Sequence, residues 1–278
     1  MRVLNQDELQ AAEGVLLKHL PKSVQIYGFL YGINNAFPSA LQVIVDRWPD
    51  FKVIVCRTPP EYEGDQVFIR AVPFYSTDDQ SLRKMLMEGN GLDWTSTLTI
   101  GAFDACQLHI VEEVSSAKAV SSRRCVLGHV LYLPDSSHLI PAAVDRELES
   151  RISPLNLSHV DLVNQISKFR GSKRGFRYVQ HLICNFPTYG LTDARGQLLS
   201  WILLHDFFGF GFLYTLPEHR RRGYGKAVVS AMAKRLVAEG RPVYTFIDEG
   251  NVASYRLFKS LGFIEDPSYR VAWVDFNF

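Results

Sequence analysis

Seven consecutive residues, Arg220-Arg221-Arg222-Gly223-Tyr224-Gly225-Lys226, put four cations and two glycines into one short stretch. Glycine lets a ligand approach the backbone closely. The N–H groups of a loop and of the first helical turn have no partner inside the helix, and the helix dipole adds positive potential there. A pyrophosphate is the ligand such a site fits best. The bland alternative is a basic loop that merely opens a surface helix, since a glycine-rich junction alone is a weak signal. The spacing is more specific than that: Arg220, Gly223 and Gly225 make R-x-x-G-x-G, preceded by Pro217-Glu218. It is neither a G-x-x-x-x-G-K-[ST] loop nor a dinucleotide fingerprint, because the parallel strand–helix–strand context is missing.

The loop must be held by its neighbours. Gly209–Leu216 reads as a strand leading in, and Tyr224–Glu239 as the helix leading out, with Val229, Met232 and Leu236 on its apolar face and Gly240 as its stop. Upstream, Val160–Lys168 and Phe176–Asn185 are expected to be helices. Thr188–Thr192 and Leu198–Phe207 are expected to be strands, joined by a turn at Asp193-Ala194-Arg195-Gly196. Pro242–Ile247 follows as a buried strand, then a helix from Asn251 to Gly262, then a strand at Val271–Phe276. Helices, an antiparallel meander, then strand–helix–strand is an α+β order. In the first half, Leu9, Ala12, Leu16 and Leu20 form a helical stripe, with Asn5 and Glu8 placed as a capping box. The apolar run Val24–Tyr31 has strand character around Ile26-Tyr27-Gly28-Phe29-Leu30, and Val43-Ile44-Val45 and Val53-Ile54-Val55 read as strands around the Trp48-Pro49-Asp50-Phe51 turn. Leu82–Glu88 and Ala105–Glu113 suit helices, and Val126–Leu133 a strand. Trp48 and Phe51 are expected to anchor the first core. The expected domains are residues 1–147 and 148–278.

Composition narrows the function. A net charge of +1 over 278 residues argues against a nucleic-acid or anionic-membrane binder. No apolar run approaches the ~20 residues of a membrane span. The four cysteines, Cys56, Cys106, Cys125 and Cys184, contain no C-x-x-C pair, so no zinc site or disulfide framework is expected, only buried reduced thiols.

The R-x-x-G-x-G loop resembles the acyl-CoA pyrophosphate loop of the GCN5-related N-acetyltransferase superfamily. The segment from Asn251 to Phe263 resembles that superfamily's late N-x-x-A-x-x-L-Y-x-x-x-G-F helix. Nearly the whole chain resembles the glycine N-acyltransferases and glycine N-acyltransferase-like proteins of animals. The segments that carry this are Ile26-Tyr27-Gly28, Ile33-Asn34, Val45–Phe51, Asn185-Phe186-Pro187, Ser200-Trp201 and Tyr214–Glu218. The resemblance implies two acetyltransferase-like halves, each a mixed, mostly antiparallel sheet flanked by helices, with CoA bound only in the second. It implies acyl transfer from acyl-CoA, a co-substrate and not a resident cofactor, to the amino group of glycine or another small amino acid. It places CoA on Leu213, Tyr214, Thr215, Arg220, Arg221, Arg222, Gly223, Tyr224, Gly225, Lys226, Asn251 and Phe258. A monomer is expected. The family's location implies mitochondria; the acidic residues Asp7, Glu8 and Glu13 do not suit a presequence, which leaves the cytoplasm as the alternative.

Two family roles fall on unsuitable residues. The Glu base aligns with Gly209 and the general-acid Tyr with Phe258. Asp206 is therefore the candidate base, with His205, Asp248 and Glu249 as rivals; strand alternation would send His205 and Asp206 to opposite faces. Asp248 is expected to cap the helix at Asn251, and Tyr255 to be structural. Phe207, Phe208, Phe210 and Phe212 would divide between core and an acyl tunnel, suiting a hydrophobic acyl group or a bulky acceptor. Two other functions stay open: an inactive acyl-CoA-binding regulator, and transfer to a protein N-terminus or lysine.

Overall fold

The computed structural model describes residues 1–59, 71–88, 92–140, 142, 146–168 and 170–277. They form two compact units, Met1–His129 with the C-terminal segment from Pro267, and Val130–Asp266. The division thus lies earlier than the expected 147/148, and the chain's last strand belongs to the first unit.

The first unit opens with β1 (Arg2–Val3), α1 (Gln6–Leu17) and α2 (Val24–Asn34). Asn5 caps α1 through the expected reciprocal box with Glu8. The stretch Ile26–Leu30, expected to have strand character, lies in the body of α2. Its residues are buried almost all round, including Gln25, Tyr27 and Gly28, so no polar face marks the helical period. β2 (Gln42–Val45), β3 (Val53–Arg57) and β4 (Phe74–Ser76) pair antiparallel. Trp48 and Phe51 stack on each other at 6.3 Å at the β2–β3 turn and stay partly exposed, so they do not anchor the core. Asp46 fixes that turn by accepting from the Lys52 and Val53 N–H groups. The core lies under α3 (Asp79–Met87), β5 (Leu98–Asp104) and α4 (Leu108–Ala117), around Val53, Leu86, Ile100, Phe103 and Val111. β6 (Ser122–Leu133) runs on into the second unit. All four cysteines are free, but only Cys56 is buried; Cys106, Cys125 and Cys184 are exposed, contrary to expectation.

The second unit continues with α5 (Arg146–Glu149), β7 (Ile152–Ser153), α6 (Val160–Ile166) and α7 (Lys173–Asn185). Next come β8 (Thr188–Thr192), β9 (Leu198–Leu204), β10 (Phe210–Thr215), α8 (Tyr224–Ala238), β11 (Val243–Asp248) and α9 (Val252–Lys259). β12 (Val271–Phe276) closes the chain and pairs antiparallel with β5 and β6. β7 to β10 form an antiparallel meander, and β11 adds in parallel to β10. α8 buries Val228, Val229, Met232 and Leu236 against β8, β9 and β10. Gly240, with φ +66°, ends the helix as expected.

Among the described residues no helix is long and apolar enough to cross a membrane, and no group of three His, Cys, Asp or Glu could hold a metal.

Candidate acyl-CoA site

Two departures from regular structure build the site. β10 carries a bulge: Gly211 faces Leu203 and Tyr214 faces Trp201, so two residues oppose one, with Phe212 at φ +54°. β10 also leaves β11 early. Their parallel register is a single pair, Phe210↔Thr245, beyond which the edge of β10 is unpaired with β11. Leu213, Tyr214 and Thr215 lie on that released stretch and are partly exposed.

β10 then leads into a short 3-10 turn, Pro217–His219, and the basic loop. Arg221 (φ +62°) and Gly223 (φ +81°) are left-handed, a backbone form that gathers successive N–H groups into an anion nest. Gly223 is the N-cap of α8 and has no side chain to occupy the helix end. Among the described residues, the N–H groups of Arg221, Arg222, Gly223, Tyr224, Gly225 and Lys226 donate to no backbone or side-chain acceptor. Gly225 is buried, and a Cβ there would sit 3.2 Å from Leu257 and 3.4 Å from Thr215. The arginines do not crowd the nest equally. Arg220 is turned back, its Nε donating to the Thr215 carbonyl at 3.1 Å and its guanidinium lying 5.2 Å from the Tyr214 ring centre. Arg221 and Arg222 are exposed.

Asn251 is taken up locally. Its side chain accepts from the Ser254 N–H at 3.2 Å and caps α9. The cap expected from Asp248 is therefore supplied by Asn251, while the Asp248 carboxylate lies 3.7 Å from Lys168. Phe258 is 2% exposed and packs with Phe210 and Phe263, at ring distances of 6.2 and 5.0 Å. It is a core residue, so the structure gives it no open face toward a ligand. Tyr255 is structural as expected, its hydroxyl donating to Glu265.

The candidate base lies in a turn. β9 ends at Leu204, three residues before the expected Phe207, because the His205 N–H closes a hairpin on the Gly209 carbonyl at 2.9 Å and Phe208 takes φ +62°. Alternation no longer separates His205 from Asp206. Both reach the same hydroxyl: Tyr178 Oη lies 3.0 Å from His205 Nδ1 and donates to Asp206 Oδ1 at 3.0 Å. Asp206 keeps a partly exposed edge, yet its carboxyl is surrounded closely enough that burial lifts its pKa to about 6. Burial, reinforced by the Lys168 ammonium, lowers His205 to about 4. Burial and the nearby Asp206 charge hold the Tyr178 hydroxyl well above its usual range. Phe207, Phe212 and Phe246 surround this cluster and remain partly exposed, while Phe208 and Phe210 are core.

Tyr178 was not legible in the sequence. It sits on the buried face of α7, where it reads as ordinary packing. Gly211 did carry a signal, since an isolated glycine in a strand marks a close approach. A Cβ there would lie 2.2 Å from His205 Nε2.

Residues 1–187 match the family described as aralkyl acyl-CoA:amino acid N-acyltransferase, and residues 188–274 match the FR47-like proteins. The chain is 26% identical to glycine N-acyltransferase of Rattus norvegicus, over 96% of this chain and 95% of that protein. It is 27% identical to glycine N-phenylacetyltransferase of Bos taurus, over 93% of each. A Drosophila protein of known structure shares the fold with a TM-score of 0.82 at 20% identity, covering 99% of this chain and 97% of its own. A tandem GNAT protein from the clavulanic acid biosynthesis pathway shares it at 0.57 and 14% identity, covering 98% and 96%.

Proposed function

Because the chain belongs to the aralkyl acyl-CoA:amino acid N-acyltransferase family, and so is a transferase that uses acyl-CoA, we propose that it moves a hydrophobic acyl group onto the amino group of glycine or another small amino acid. One observation carries the reading: the unspent N–H groups of Arg221–Lys226 stand at the end of a strand that has parted from its parallel neighbour. A pyrophosphate would take the nest, and Arg221, Arg222 and Lys226 would add charge around it. Arg220 would brace the loop against Thr215. The thioester arm would run along Leu213–Thr215, whose released backbone can meet its carbonyl and stabilise the oxyanion. Asn251 would shape the far wall as the cap of α9. Phe207, Phe212 and Phe246 suit an apolar acyl group or side chain. The amine's proton would leave through the cluster that contains Asp206. The reading includes a monomer and a mitochondrial location, which sedimentation and cell fractionation test.

A specific observation favours a second reading, a CoA-binding regulator without turnover. The two family roles are unfilled: a Cβ at Gly209 would lie 2.6 Å from the Phe207 ring, and Phe258 has no proton to give. Thiol release from a panel of acyl-CoAs with glycine, glutamine and other amino acids, beside calorimetric CoA binding, separates the two. Acceptor-dependent release is expected. Binding without release under any acceptor favours the regulator, and no binding removes both.

A further inference from the structure

We propose that His205 is the catalytic residue that takes the amine's proton, with Tyr178 and Asp206 as the residues that fix its tautomer. The inference rests on the reading of the chain as an amino-acid N-acyltransferase.

The hydrogen-bond direction decides the tautomer. Tyr178 has one hydroxyl hydrogen, and Asp206 Oδ1 accepts it at 3.0 Å. The Tyr178 oxygen can then only accept at its 3.0 Å contact with His205 Nδ1, so Nδ1 carries the imidazole proton and Nε2 keeps its lone pair. Asp206 thus acts through Tyr178 and does not touch the reacting atoms. Among the described residues Nε2 has no hydrogen-bond partner of its own.

The place of Nε2 is equally fixed. The imidazole stacks on Phe207 at 4.7 Å and 10°, and Phe212 packs on it at 5.2 Å. Its Nε2 and Cδ2 edge occupies the space that a Cβ of residue 211 would need, at 2.2 and 2.4 Å. Gly211 is the first β10 residue beyond the last pair with β11. Nε2 therefore lies against the strand at Gly211, where the pairing of β10 with β11 has ended, next in the chain to the stretch proposed for the thioester. Among the described residues the Lys168 ammonium, itself 3.7 Å from Asp248, is the cation whose charge acts on the ring, and Tyr178 and Asp206 are the titratable groups joined to it by hydrogen bonds. Burial and Lys168 keep the ring uncharged at neutral pH, the form a base must have.

The step balances within one residue. The neutral amine attacks the thioester carbon, the C–N bond forms, and the carbonyl π pair moves to oxygen. Nε2 takes one N–H proton. The carbonyl re-forms, the C–S bond breaks, and the departing sulfur takes the proton back from Nε2. Nothing is oxidised or reduced. One imidazole thereby fills both the base role that falls on Gly209 and the acid role that falls on Phe258.

The test uses the full chain and the acyl-CoA and amino-acid panel. His205→Asn keeps a donor for Tyr178 but has no nitrogen lone pair. It is expected to lower kcat about 100-fold with CoA affinity within twofold of wild type. His205→Ala should regain turnover with added imidazole. Tyr178→Phe should lower kcat about tenfold and shift the acid limb of the pH–rate profile. Undiminished kcat in His205→Asn, or no response of His205→Ala to imidazole while CoA binding is intact, overturns the proposal and leaves the functional reading standing. A wild-type chain that binds CoA but releases no thiol with any acceptor overturns both.

Discussion

The two units contain the same junction built to opposite ends. In each, a bulged strand with one left-handed residue runs into a helix: Ala102 at φ +52° in β5 before α4, and Phe212 at φ +54° in β10 before α8. In the first unit the turn Ala105–Gln107 that leads into α4 is tied down internally. Asp104 accepts from the Cys106 N–H at 3.0 Å, the Ala105 N–H donates to Arg270, and no glycine opens the backbone between Asp104 and Leu108. In the second, a loop carrying Arg220–Arg222, Gly223 and Gly225 replaces that carboxylate, and the helical N–H groups stay unspent. A helix N-terminus becomes an anion site only when nothing in the chain claims it first.

The largest effect should come from filling the second junction as the first is filled. Gly225→Glu places atoms into the 3.2 Å gap before Leu257 and brings a carboxylate to the nest. Together with Arg220→Glu it should weaken CoA binding at least about 100-fold, since two like charges and a lost brace act on a pyrophosphate. Calorimetry on folded protein decides, and unchanged affinity removes the site from this loop.

A smaller but still large effect should follow from Gly211→Ala. Its methyl must displace the imidazole edge now 2.2 Å away. Turnover should fall about tenfold or more, because catalytic geometry tolerates little misplacement, while CoA affinity holds. Full turnover would mean that the ring's position against β10 is incidental.

What the sequence disclosed divides along the same line. The second junction was legible because its function is written in residue types that little else requires: two glycines, three arginines and a preceding Pro-Glu. The Asn5–Glu8 box and the turn at Asp193–Gly196 were legible for the same local reason. α2 was not, because burial on nearly all sides erased its periodicity. The meeting of His205, Asp206 and Tyr178 was not, because it joins a hairpin turn to a helix 27 residues away and depends on where β9 stops. The last strand's membership in the first unit likewise depends on its pairing with β5 and β6, which no local pattern records.

The buried cluster gives a third contrast, in pH. Asp206 is raised from its ordinary 3.8 to about 6, so its contribution to stability is full below 3.8 and is lost as pH rises through 6. His205 is lowered from 6.5 to about 4, so its contribution is full above 6.5 and is lost as pH falls through 4. Between about pH 4 and 6 the two slopes oppose each other. Asp206→Asn leaves the His205 slope alone. That variant should melt higher than wild type at pH 7.5, and its melting temperature should drop more steeply on acidification to pH 4.5. Parallel melting curves for the two proteins would show that Asp206 is not desolvated as described.

The smallest effect tests the comparison from its other side. Asp104→Ala removes the carboxylate that closes the first junction and releases the Cys106 N–H. Loss of such a cap costs about 1 kcal/mol, read as a lower denaturation midpoint at constant slope. It should not create a second CoA site. The Ala105 N–H still bonds Arg270, every residue from Asp104 to Leu108 keeps a side chain, and no arginine takes the carboxylate's place. Calorimetry should therefore give one CoA per chain for both wild type and variant. A second equivalent bound by the variant would mean that one carboxylate alone separates the two junctions, and that the glycines and arginines of the second add affinity without being required.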